Sequence, residues 1–244
     1  MIRLILVVSF VVLFLLFSIP IMFVEYIIGK FNPDVKSRSS LAIVNWAFRC
    51  VRFLASTKVD YIGLENVPTD TPVLYVGNHR SFFDIVLTYP KVARPTGYVS
   101  KKEIEKVPYL NIWMRNLHCL FLDRADIKSG MQMILQAVEL IKDGKSICIF
   151  PEGTRSDSED EFLPFFEGSF KIAVKSGCPI VPMIINNSAA VLENHFPLIK
   201  KAHVIIEYGK PIYPKDLPKE QQKHLAPYFH DLMKEVHDRN AAKV

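Results

Sequence analysis

The 244-residue sequence predicts an α/β fold, a mostly parallel mixed sheet flanked by helices, with an N-terminal membrane-anchoring helical segment. Three observations carry this expectation. Short apolar runs alternate with stretches of helical period, the pattern of a layered sheet whose strands are joined by crossover helices. Gly, Pro, Asn and Asp mark the boundaries between them. From Leu4 to Val24 there is no charged residue over 21 positions, and a helix of that length spans about 32 Å, close to the hydrocarbon thickness of a bilayer.

In chain order, the apolar N-terminus follows Arg3. Its end, Ser18-Ile19-Pro20-Ile21-Met22-Phe23, lacks the small-x-small pattern of a cleavage site, so it reads as a retained anchor rather than a signal peptide. Pro20 is placed to kink it, and both a spanning and a shallow re-entrant geometry fit. Lys30, Lys36, Arg38, Arg49 and Arg52 follow the anchor, which by the positive-inside bias places the main domain on the cytoplasmic side. Ser39 to Ser56 reads as an amphipathic helix with Leu41, Val44, Phe48, Val51 and Ala55 on one face. The expected division is therefore residues 1–56 as anchoring helices and 57–244 as the α/β domain.

Seven strands are expected in that domain: Val59–Leu64, Val73–Gly77, Thr96–Ser100, Cys119–Leu122, Ser146–Phe150, Ile180–Ile185 and Val204–Tyr208. Between them lie helices over Phe82–Tyr89, Val107–Asn116 and Ser169–Lys175. A clean stripe of Ile127, Met131, Ile134, Val138 and Ile141 ends at Gly144. Pro227 opens a last helix with Tyr228, Phe229, Leu232, Met233 and Val236 on one side. The length suits one domain with a substantial core. The net charge of +5 fits an anionic membrane surface or a phosphorylated substrate better than DNA, and no nucleic-acid motif is present. Cys50, Cys119, Cys148 and Cys178 are far apart and in apolar contexts, as reduced cysteines of a cytosol-facing domain are.

In sheets of this kind the carboxyl ends of the strands gather the functional loops. Two such ends stand out. Asn78-His79-Arg80-Ser81-Phe82-Phe83-Asp84 follows the second strand. His79 near its usual pKa can take a proton from a hydroxyl, and Asp84 can hold the imidazole in one tautomer. Ser81-x-x-Asp84 is equally a capping-box pattern, and one carboxylate can serve both roles. Phe150-Pro151-Glu152-Gly153-Thr154-Arg155 ends the fifth strand. Gly153 permits a sharp turn, and Arg155 suits a phosphate or an ion pair across the turn. Glu152 either receives a substrate hydroxyl or braces Arg155. Arg124, after the fourth strand, and Lys101 and Lys102, after the third, would add to a cationic pocket if their loops converge. No metal-binding pattern appears: Asp157, Glu159, Asp160 and Glu161 lack the glycine and distal glutamate of a calcium loop, and the histidines lack ligand spacing. There is no nucleophile elbow and no Walker or dinucleotide loop.

These residues, in this order, resemble the glycerolipid acyltransferase family. Asn78–Asp84 resembles its N-H-x-S-x-x-D block, Phe121–Arg124 its second block, Phe150–Ser156 its E-G-T-R block, and Cys178-Pro179-Ile180-Val181-Pro182 its fourth. Lys101-Lys102-Glu103 resembles a lysine-containing segment of the family. The sequence departs at Phe166, where relatives commonly carry lysine. The resemblance implies fatty acyl transfer from an acyl carrier protein or coenzyme A thioester to a glycerol phosphate hydroxyl at a membrane, with those thioesters as co-substrates and no bound cofactor. It implies His79 as general base and Asp84 as its orienter. Arg124, Arg155 and one of Lys101 or Lys102 would hold the phosphate. Glu152, Gly153 and Thr154 would shape the glycerol site, and Pro182 would be structural or line the acyl path. The expected acceptor is lysophosphatidic acid. Another lysolipid, hydrolysis of the thioester, and a catalytically silent membrane protein are the rival expectations.

Overall fold

The computed structural model describes residues 1–158 and 161–244. Glu159 and Asp160 of the expected acidic loop lie outside the described residues. The chain opens with three helices, α1 (Ile2–Phe17), α2 (Ile19–Phe31) and α3 (Pro33–Ala55). The charge-free run does not form one rod. It breaks at Ser18, and α1 and α2 are bent by 49°. Pro20, in the first turn of α2, has no N–H to donate to the preceding turn. Among the described residues no single helix is long and apolar enough to cross a membrane, although the bent pair together has that length and apolar composition. α3 begins six residues before the expected start because Asn32 caps it, accepting from Val35 N at 3.1 Å, with Pro33 in its first turn.

The domain proper contains β1 (Lys58–Ile62), β2 (Leu74–Gly77), α4 (Phe83–Thr88), β3 (Thr96–Lys101), α5 (Leu110–Asn116), β4 (Leu120–Leu122) and α6 (Ile127–Lys142). It continues with β5 (Ser146–Ile149), α7 (Lys171–Ser176), β6 (Ile180–Asn186), β7 (His203–Tyr208), α8 (Lys219–Lys223) and α9 (Leu225–Ala241). All seven expected strands are present. They form one sheet in the order β1-β7-β6-β2-β5-β3-β4. Every neighbouring pair is parallel except β6 with β7, so the mostly parallel mixed sheet flanked by helices is the architecture found.

Side chains alternate across this sheet into two cores. One face carries Tyr75, Tyr98, Cys148, Phe150, Val181, Met183 and Tyr208 and packs against α3, α4, α5 and the N-terminal helices, including Val7 and Met22. The other carries Leu74, Val76, Ile147, Ile149, Ile180 and Ile184 and packs against α6, α7 and α9. Residues 1–56 thus share a core with the sheet. Trp113 of α5 fastens them: its indole Nε1 donates to Ser18 Oγ at 3.0 Å and its ring stacks on Phe14. Trp113 is buried. Trp113→Ala should therefore cost about 3–5 kcal/mol, read as a lower midpoint in denaturant unfolding of the detergent-solubilised protein.

Candidate active site

Five strands, β6, β2, β5, β3 and β4, run in one direction side by side. Their carboxyl ends share one edge, and blocks scattered along the sequence meet there. The turn after β2 begins with Asn78. Its side chain continues the ladder with β6: Nδ2 donates to Ile185 O and Oδ1 accepts from Ile185 N, both at 2.8 Å. The backbone is thereby released one residue early without leaving Ile185 unpaired.

His79 follows, and the loop after β5 holds its peptide groups. His79 N donates to Glu152 Oε1 at 2.6 Å, and Ser156 N donates to His79 O at 2.8 Å. The imidazole lies flat on Phe150, with ring centroids 4.2 Å apart and an interplanar angle of 14°. Gly77 makes room for that ring, since a Cβ there would sit 2.9 Å from Phe150. His79 Nδ1 is 2.8 Å from Asp84 Oδ2. The same oxygen accepts from Arg80 N and Ser81 N, each at 2.8 Å. Asp84 is therefore both helix cap and histidine partner. As a carboxylate with only acceptor capacity it places the imidazole proton on Nδ1, leaving Nε2 with a lone pair to serve as a base. The His79 side chain keeps 15 % of its surface exposed, while that of Asp84 keeps 0 %. An imidazolium formed in a reaction would be stabilised by the Asp84 charge on one side and the Phe150 π face on the other.

Glu152 does not brace Arg155. Its two oxygens accept from His79 N and, at 2.9 Å, from Leu163 N. Burial pushes its carboxyl up from the usual range, and these two N–H bonds oppose the shift. The reason is the turn at Gly153, φ +70°, which sends Glu152 inward. A Cβ on Gly153 would also lie 2.7 Å from the Phe166 ring, so the residue that departs from the family pattern packs over this glycine. Thr154 is exposed. Arg155 pairs not with Glu152 but with Glu193, Nη1 to Oε1 at 3.1 Å, and its guanidinium lies 3.9 Å from the Phe82 ring centroid. Glu193, in the loop after β6, belongs to no pattern in the sequence. Its carboxylate also accepts from Ser81 Oγ at 2.6 Å and from Phe82 N at 2.8 Å.

Lys101 and Arg124 are exposed at the ends of β3 and β4. In the strand order these lie two and three positions from β2, about 10 and 14 Å along the edge. Lys102 is committed to Asp123 at 3.4 Å. Pro182 lies inside β6, opposite Val76 of β2, and its carbonyl accepts from Gly209 N at 2.9 Å. By alternation with Ile180 and Ile184 its ring faces the core of α6, α7 and α9, away from the N-terminal helices. The four cysteines are free. Burial raises the thiol pKa of Cys119 to about 11 and raises those of Cys148 and Cys178 as well, so these three offer no thiolate nucleophile near neutral pH.

A buried carboxylate orienting a histidine, with an arginine held beside it at the carboxyl edge of a mostly parallel sheet, defines a class of base-assisted group-transfer site. Comparison with known proteins specifies the family. The family profile described as Acyltransferase matches residues 58–186. The 1-acyl-sn-glycerol-3-phosphate acyltransferase of Haemophilus influenzae is 31% identical over 201 residues, covering 81% of this chain and 82% of that protein. The chloroplastic enzyme BAT2 of Brassica napus, of the same name, is 35% identical over 158 residues, 64% of this chain and 45% of its own length. The one from Borreliella burgdorferi is 30% identical over 151 residues, 62% and 60% respectively. The alignments thus span about half the length of these last two relatives. The crystal structure of the 1-acyl-sn-glycerophosphate acyltransferase from Thermotoga maritima superposes with a TM-score of 0.80 at 24% identity, covering 97% of this chain and 96% of that one, and so shares its fold. The chain belongs to the acyltransferase family.

Asp84→Asn keeps the shape of the turn but removes the charge and disturbs the tautomer. It should lower kcat at least about 100-fold with little change in acceptor KM, measured by steady-state acyl transfer.

Proposed function

We propose that this protein transfers a fatty acyl group from an acyl thioester to the sn-2 hydroxyl of lysophosphatidic acid, making phosphatidic acid. The observation that carries the proposal is the His79–Asp84 pair, 2.8 Å apart, beside an arginine on the neighbouring loop. His79 Nε2 takes the proton of the acceptor hydroxyl as its oxygen attacks the thioester carbonyl. The imidazolium returns that proton to the departing thiolate. Transfer is direct, since no activated Ser or Cys is needed for an acyl-enzyme. Arg155 holds the acceptor phosphate, with Lys101 and Arg124 further along the edge, and much of the rate comes from positioning. The donor is carried by acyl carrier protein or coenzyme A.

A lipid substrate is supported by the apolar surface that adjoins the site. α4, which begins at the catalytic turn, contributes Ile85 to a cavity of about 120 Å³ that also involves Phe14, Val44, Phe48 and Trp113. A larger groove of about 580 Å³ between α1, α2 and α3 is lined by Phe10, Leu13, Phe17, Ile21, Ile43 and Trp46. The outer faces of α1 and α2 leave Phe17, Phe23 and Phe31 exposed. On this reading the bent pair lies in one leaflet, with the sheet domain on the cytoplasmic side.

Incubation with lysophosphatidic acid and a long-chain acyl thioester, carrier-bound or coenzyme-A-bound, should yield phosphatidic acid by mass spectrometry. His79→Ala should reduce it to background while leaving the unfolding midpoint unchanged. Free fatty acid in place of phosphatidic acid would make the protein a thioesterase instead. Replacing Phe17, Phe23 and Phe31 together by Glu should abolish co-flotation with phospholipid vesicles. Undiminished flotation would assign membrane binding to another surface.

A further inference from the structure

Glu193 lies more than a hundred residues after the histidine turn and in no recognisable motif, yet three elements of the site end on its carboxylate. Oε2 accepts from the Ser81 hydroxyl, and Oε1 accepts from Phe82 N–H and Arg155 Nη1–H. Ser81 is fully buried, and its Oγ in turn accepts from Phe83 N at 3.0 Å. Ser81 N, on the same residue, donates to the Asp84 oxygen that holds His79. A continuous path of hydrogen bonds thus runs from His79 through Asp84, Ser81 and Glu193 to Arg155. Among the described residues Glu193 is the only hydrogen-bond partner of Arg155, and it uses one of five guanidinium N–H groups. The Phe82 ring supports the guanidinium plane from below at 3.9 Å. The Arg155 side chain stays 35 % exposed, against 18 % for Glu193, so the remaining donors can meet an anion from solvent.

We infer that Glu193 is a positioning residue: it fixes the Arg155 guanidinium against the catalytic turn so that an acceptor phosphate bound by Arg155 arrives in register with His79. This deepens the proposed function and rests on its phosphate acceptor. Two points favour positioning over competition with the phosphate. Glu193 is tied independently by Ser81 and Phe82, so it stays in place when Arg155 gains a second anion. It also engages Arg155 through one terminal nitrogen, leaving the other donors for a ligand. A carboxylate that fixes an arginine without saturating it lowers the entropy lost when the anion binds.

A double-mutant cycle on Glu193 and Arg155 tests this. In the full-length protein, with wild type acylating lysophosphatidic acid, Glu193→Ala should raise acceptor KM about tenfold with kcat changed less than about threefold. Arg155→Ala should raise KM at least as much, and the double variant should be no worse than Arg155→Ala alone. With monoacylglycerol, which has no phosphate, Glu193→Ala should lower kcat/KM by less than about threefold, well short of its effect on lysophosphatidic acid. Glu193→Gln, which keeps an oxygen for Ser81 but loses the charge, should show the same pattern and guards against a folding defect in the alanine variant. Additive effects in the cycle, or an equal loss on monoacylglycerol, would overturn the positioning role. A fall in KM in Glu193→Ala would overturn it in favour of competition. If wild type formed no phosphatidic acid at all, the acceptor reading would fail first, and that result is separate from the cycle.

Discussion

The buried Asp84 carboxylate is the interaction on which the site depends. A single oxygen receives an imidazole N–H and two consecutive backbone N–H groups, all at 2.8 Å. Removing a charge from water is costly, and three charge-assisted bonds offset that cost. The five-residue separation from His79 works because His79 lies outside the helix and Asp84 in its first turn, so the chain curls around the carboxylate. The bonds that close the helix end are then the same ones that aim the base. Helix capping and the orientation of the imidazole are one structure here.

That turn would drift without its neighbours. The strand order puts β5 on one side of β2 and β6 on the other. β5 supplies Glu152 and Ser156 to the peptide groups of His79, and β6 supplies Ile185 to the side chain of Asn78. Each of the two flanking loops also contributes one member of the Arg155–Glu193 pair. A parallel sheet makes this possible because its strand ends all face the same way, so residues distant in sequence meet at one edge. Phe150 adds the fourth constraint, fixing the plane of the imidazole by stacking.

The opposite demand, for apolar surface, is met on the face of the sheet that packs against α1, α3, α4 and α5. The charge-free N-terminus bends by 49° at Ser18 instead of running straight, because Pro20 breaks the hydrogen-bond ladder and Trp113 offers Ser18 a donor. α1 and α2 therefore bury one side in the core of the domain and leave the other apolar and open. The cavity among α1, α3, α4 and α5 places apolar volume next to the helix that starts at the base.

Much of this was legible in the sequence. Strand periodicity and the punctuation by Gly and Pro located all seven strands, and the Leu4–Val24 run with Pro20 implied both an apolar anchor and a kink. His79 and Asp84 were readable as a pair because their chemistry is local, five residues apart on one turn. Sequence alone could not choose between cap and orienter for Asp84; the fold shows one oxygen serving both, because the turn brings the imidazole and two backbone N–H groups to it. It could not place Glu152, which reads as a site carboxylate but spends both oxygens on backbone, since the left-handed turn at Gly153 directs it inward. Nor could it find Glu193, because nothing local distinguishes a glutamate that matters only once β6 is laid beside β2. Local periodicity and turn chemistry determined the elements and the base. Which strands became neighbours, and hence what holds the histidine and the arginine together, was decided only by tertiary packing, where contacts between residues 38 to 112 positions apart replace those along the chain.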